Sequence, residues 1–134
     1  MKQILLILIF SIFFCCSNHK KHNFQELNSF WLIEKAIAPN GEKKFYKNVE
    51  EFDFFGIKGE KGYRKKVISS LNSVNDFFSN NDTLFFSLNF KKDKVFFKYL
   101  RNDFYWEEEL IKLNKKELRL MDSKGVIFVY KKHN

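Results

Sequence analysis

Proline is almost absent from this chain, with one residue in 134, and glycine is scarce at five. Collagen-like and Pro/Gly-rich low-complexity chains are thereby excluded. Cysteine is confined to one adjacent pair, Cys15-Cys16. No glycine-rich phosphate loop, metal-ligand spacing or nucleophile–base set can be traced. His19 and His22 sit at i, i+3 in a polar tail with no third ligand, and His133 lies at the other terminus. The longest unbroken carboxylate run is Glu107-Glu108-Glu109. Successive strand residues point to opposite faces, so at most Glu107 and Glu109 converge for acid–base or glycosidic chemistry. A run of glutamates is more commonly a solvated strand edge. The sequence therefore predicts a non-enzyme with no catalytic residues, no metal and no cofactor.

Phenylalanine supplies what is abundant: 18 of 134 residues, within a hydrophobic fraction of 45%. Each aromatic ring buries a large area, so a single small domain can fill its core from few positions. Positive charge is the other excess, with 24 Lys and Arg against 16 Asp and Glu, a formal +8. That balance suits nucleic acid, an anionic membrane surface, or solubility alone. Compartment has to decide among them.

Residues 1–14 read MKQILLILIFSIFF, in which Lys2 precedes an apolar run. At about eleven residues the run is too short for a stable membrane span but fits the core of a signal peptide. Cys15-Cys16-Ser17 follows at once. A cysteine closing a short apolar segment resembles the lipobox of bacterial lipoproteins, whose cysteine is diacylated and becomes the new N-terminus. The residue before that cysteine is normally small, so Cys15 before Cys16 fits and Phe14 before Cys15 does not. Phe13 and Phe14 depart from the Leu and Ala or Ser that are commoner there. The resemblance implies a signal peptide over 1–15, lipid attachment at Cys16, and no free thiol afterwards. Residues 16–23 then form a polar tether, in which Lys20 and Lys21 either attract anionic headgroups or are merely solvated. The expected location is the cell envelope, on the outer membrane or facing the periplasm, held by acyl chains. Nucleic acid is excluded as a partner by that compartment, and the charge suits an anionic envelope surface.

The remaining chain, 24–134, reads as one domain of strands. Phe24, Leu27 and Trp31 share a helical spacing that predicts a short turn feeding a first strand over 31–36, closed by Pro39-Asn40-Gly41. A second strand is expected over 51–57, where Phe52 and Phe54 share a face, and a third over 63–69 with outward Lys and Arg. Residues 67–78 fit either an amphipathic helix or a strand-turn-strand. Residues 83–132 are clearer: short apolar runs are separated by KKD, RND, NKK and DSKG. That pattern predicts five strands in a meander. Leu84, Phe86, Leu88 and Phe90 fall on one face, and Val95, Phe97 and Tyr99 repeat the alternation. Parity fails between Trp106 and Leu113, which predicts a bulge near Glu107 to Glu109. The last strand, apolar on both faces, is expected to be covered on both sides or to close against the first.

About eight strands without a long helix need their edges managed, and closure into an up-and-down β-barrel does so. At this point the chain resembles the small lipocalin-like lipoproteins of Bacteroidota, over roughly 24–132. The ending YWEEELIKLNKKELRLMDSKGVIFVYKK carries most of the likeness. Ser29-Phe30-Trp31 keeps the Trp of the Gly-x-Trp found in the first lipocalin strand but lacks its Gly. Lys131 or Lys132 stands nearest to the Arg that lipocalins lay over that Trp. The resemblance implies an all-β, small antiparallel lipocalin-like barrel. Its interior would be lined by Trp31, Leu84, Phe86, Leu88, Phe90, Phe97 and Tyr99, either as packed core or around one small hydrophobic ligand. A binding lipoprotein and a solid interaction or inhibitor protein, holding an envelope partner by its basic surface, both remain open. Asp82-Thr83-Leu84 also resembles the Asp-Ser/Thr-aliphatic O-glycosylation pattern of exported Bacteroidota proteins.

Overall fold

A computed structural model of the chain describes residues 22–68 and 83–133. The signal segment, Cys16, most of the tether, Asp82 and the question of 67–78 beyond Ile68 lie outside these. A short 3-10 helix, Phe24–Leu27, is capped by Asn23, whose side chain accepts a hydrogen bond from the Gln25 N–H. Nine strands follow: β1 (Ser29–Ile37), β2 (Lys43–Phe45), β3 (Glu51–Lys58), β4 (Lys61–Ile68), β5 (Leu84–Lys91), β6 (Lys94–Arg101), β7 (Phe104–Leu113), β8 (Glu117–Met121) and β9 (Ile127–His133). All pair antiparallel, and β3 to β9 each pair with the next. One edge of β1 is shared, with Ser29–Trp31 on β3 and Lys35–Ile37 on β2. The other edge pairs with β9 from Phe30↔His133 to Ile37↔Ile127, so the sheet closes into a ring. The five-strand meander is as the sequence predicts, and of the two arrangements open to the last strand it takes closure on the first.

Turn chemistry explains why the hairpins fall where they do. Asn102 and Asp103 both take positive φ, 47° and 63°, between Arg101 and Phe104. That is a primed two-residue turn, whose twist matches the strands it joins. Asp122 Oδ1 accepts from the N–H groups of Lys124 and Val126, closing the β8–β9 turn. Asn114 does the same between β7 and β8.

Two expectations need correction. The strand count is nine among the described residues, because β2 is only three residues long and exposed throughout. With no buried face it leaves no alternation to read. Phe52 and Phe54 do share a face, but Asp53, Phe55 and Ile57 hold the inner one. Apolar residues stand at both parities of β3, so pattern alone could not choose. Finally, the β7 register shift lies between Leu110 and Lys112, not near Glu107 to Glu109. The inner face runs Trp106, Glu108, Leu110 without a break, because the interior accommodates Glu108.

The core occupies the end of the ring beneath the 3-10 helix. Phe86 and Phe97 stack at 4.8 Å, and Phe55 meets both edge-on. Trp31 is fully buried, and its indole N–H donates to the Leu27 carbonyl at 3.0 Å. Of the two candidate lysines, Lys132 lies over the Trp31 ring, 5.3 Å from its centre, and is paired with Glu26. Lys131 instead reaches Glu34. Asn28 ties the helix down by accepting the Ile57 N–H at 2.7 Å. Gly62 is required for the fit on the neighbouring wall, since a Cβ there would stand 2.5 Å from both the Gly56 carbonyl and the Phe86 ring.

Candidate functional site

Away from the helix the interior turns polar. Arg64, on β4 opposite Phe55, points inward, on the face opposite to Lys65. Its guanidinium reaches three other strands. Nε donates to Asp53 Oδ1 on β3 at 3.0 Å, Nη1 to Glu108 Oε1 on β7 at 3.2 Å, and Nη2 to the Tyr130 hydroxyl on β9 at 2.9 Å. The planar fork suits this task, which a point-charged lysine could not perform. Phe55 and Tyr130 lie against the guanidinium at 5.0 and 5.7 Å. Asp53 and Glu108 are both buried.

Electrostatics follow from this enclosure. Burial works against the charge of Arg64, but Tyr130, Tyr99, Asp53 and Glu108 outweigh it, and the guanidinium is held protonated more firmly than usual. Burial also raises the Tyr99 and Tyr130 hydroxyls, which stay neutral. The Tyr99 hydroxyl lies against Glu108 and Arg64 yet makes no well-formed hydrogen bond, although it is wholly buried.

Glu108 is raised above the ordinary carboxylate range chiefly by burial, against the pull of Arg64 and with Asp53 and Asp122 adding to the rise. A carboxyl raised in the fold binds its proton more tightly there than in the unfolded chain. Its contribution to stability is therefore complete below the unfolded value and is lost as pH rises through the folded one. Urea unfolding of the wild type and Glu108→Gln across about pH 4 to 8 should show the wild type losing ground to the variant as pH rises. A difference flat across that range would overturn the assignment.

A cavity of about 390 Å³ opens above the Arg64 cluster. Asp53, Arg64, Glu108 and Tyr130 form its floor, and Ile33 and Phe128 its apolar wall. Tyr46 and Val49 stand over it from the segment between β2 and β3. Glu51 and Lys66, paired at 3.5 Å and largely exposed, lie at its rim. The mouth is thus at the end opposite the 3-10 helix.

Of the lining residues expected from sequence, Trp31, Phe86, Leu88, Phe97 and Tyr99 are buried together in the core, and Leu84 packs against them. None of these lines the cavity. Phe90 is a correction: it is 51% exposed and touches Phe24 edge-on, because β5 runs past the core into its turn. Glu107 and Glu109 do face outward together, paired with Lys91 and Lys94. The glutamate between them is the one that matters. Its signal was present, since Glu108 shares the parity of Trp106 and Leu110. Asp53 and Arg64 gave no comparable signal. Among the described residues no group of three or more His, Cys, Asp or Glu is placed to hold a metal ion.

No protein-family model matches the chain, and no curated protein matches it. Two solved structures are similar. A lipocalin-like protein from Bacteroides uniformis ATCC 8492 aligns over 81% of this chain and 99% of its own, with 12% identity and a TM-score of 0.50. An uncharacterized protein from Bacteroides eggerthii DSM 20697 aligns over 78% and 98%, with 10% identity and a TM-score of 0.47. With nine sequential antiparallel strands closed by β1 and β9, Trp31 sealing one end beneath Lys132, and the first of these structures alongside, the fold of this chain is lipocalin-like.

Proposed function

We propose that the protein is a membrane-anchored envelope lipoprotein, held by acyl chains on Cys16, whose lipocalin-like barrel binds a small molecule and does no catalysis. The observation that carries the binding reading is the cavity of about 390 Å³. Its size falls in the ordinary range for ligand pockets, about 300–1,000 Å³. The other half of the barrel is filled by Trp31, Phe55, Phe86 and Phe97, so the ligand belongs at the open end and has an apolar part against Ile33 and Phe128. The chain enters at the sealed end, where Phe24 meets Phe90.

Native mass spectrometry of protein purified from membranes, followed by organic extraction, tests both parts. A co-purifying small molecule, loss of residues 1–15 and an acyl mass on Cys16 are expected, and Cys16→Ser should abolish cleavage and acylation together. A soluble chain retaining Met1 would sink the anchor. Repeated absence of any molecule, with no Trp fluorescence change on adding fatty acids or hydrophobic dyes, would sink the pocket. Partner recognition then becomes the better reading. It has its own observation, an outer row of Phe85, Leu100 and Tyr105 that are adjacent in register and 65%, 45% and 57% exposed.

A further inference from the structure

We infer that the cavity selects small organic cations, a protonated amine on a compact apolar body, with the ammonium seated on the carboxylates of Asp53 and Glu108. The inference rests on the ligand-binding reading and adds the charge of the ligand to it.

Charge is the first reason. The protein carries a formal +8, yet the cavity is lined by three carboxylates, Glu51, Asp53 and Glu108, against two cations, Arg64 and Lys66. It is an acidic recess in a basic molecule. The second reason is which groups are already engaged. Arg64 gives three of its five N–H groups to Asp53, Glu108 and Tyr130 and is covered by the Phe55 and Tyr130 rings, so its charge is already answered by two carboxylates, and an anion brought to it would lie against them. Lys66 is committed to Glu51.

The carboxylates are less fully used. Asp53 gives Oδ1 and Glu108 gives Oε1 to Arg64, which leaves each carboxylate a second oxygen that Arg64 does not take. An ionised carboxylate accepts through both oxygens, and an ammonium brings donors only. Above this floor Phe128, Tyr130 and Tyr46 line the cavity and meet the apolar body of the ligand, while Tyr130 already lies against Arg64 and Tyr46 against Lys44. The volume limits that body to a compact one.

Three probes of one shape and different charge test this on the purified full chain by ligand-observed NMR titration at neutral pH: phenethylamine, phenethyl alcohol and hydrocinnamate. Phenethylamine should bind about tenfold more tightly than the alcohol, and hydrocinnamate more weakly still. Asp53→Asn should erase the preference, and Glu108→Gln supplies the same measurement if that variant does not fold. Val49→Trp, which fills the mouth, should weaken all three probes. Equal or tighter binding of hydrocinnamate or the alcohol overturns the inference and leaves the ligand-binding reading intact. Failure of all three probes to bind also overturns it, and the extraction experiment then decides the ligand-binding reading by itself.

Discussion

Arg64→Met is expected to remove about 3–5 kcal/mol of folding stability, the usual cost of taking one partner from a buried ion pair. The substitution keeps much of the volume but leaves Asp53 and Glu108 buried without their cation, and the Tyr130 hydroxyl without its donor. Domains of this size have only about 5–15 kcal/mol in total, so the variant should sit near the limit of folding. Thermal unfolding would read this as a fall of roughly 4–8 °C for each kcal/mol. The triple change Asp53→Leu, Arg64→Met, Glu108→Leu should restore most of the loss, because a buried charged set replaced as a whole costs little. If Arg64→Met alone left the melting temperature unchanged, the guanidinium would not be the tie between β3, β4, β7 and β9 that its geometry indicates.

Trp31→Ala is expected to cost about as much, roughly 3–5 kcal/mol, for a different reason. Here the loss is of packing: a fully buried indole leaves a void between Leu27 and the core. It also frees the Leu27 carbonyl and strips Lys132 of the ring beneath it. Trp31→Phe should recover part of the packing but not the hydrogen bond. Urea unfolding of the three proteins measures this directly, and an unchanged midpoint in Trp31→Ala would remove the sealed end from the description of the fold.

These two residues also mark what was and was not legible in the sequence. Trp31 was readable because it heads an apolar strand and stands where a resembling family keeps a tryptophan. The meander was readable because polar breaks of turn-forming residues separate runs of one parity, as with Asn102-Asp103 between β6 and β7. Arg64 was not readable. It sits among Tyr63, Lys65 and Lys66 in a strand whose charges suggest a wet face, and only three-dimensional proximity to Asp53 and Glu108 shows it turned inward. Glu108 was half legible, since parity with Trp106 pointed inward while its acidic neighbours suggested solvent. The cavity followed from none of the residues singled out for it. Those were the most apolar inward positions, and they packed against one another, while the polar inward positions kept the space open.

The pairing of β1 with β9 joins segments at opposite ends of the domain, and this has a consequence in time as well as in space. Every other neighbour in the ring from β3 onward is also next in the chain, so those hairpins can form as soon as each is made. The seam has to bring the last strand back to the first. A chain released only as far as Met121 has β1 and β8 as open edges, no Tyr130 for Arg64 and no Lys132 over Trp31. Such an intermediate exposes unpaired strand edges of the kind that recruit other chains. Premature termination before residue 127 should therefore yield aggregates, not a smaller folded domain.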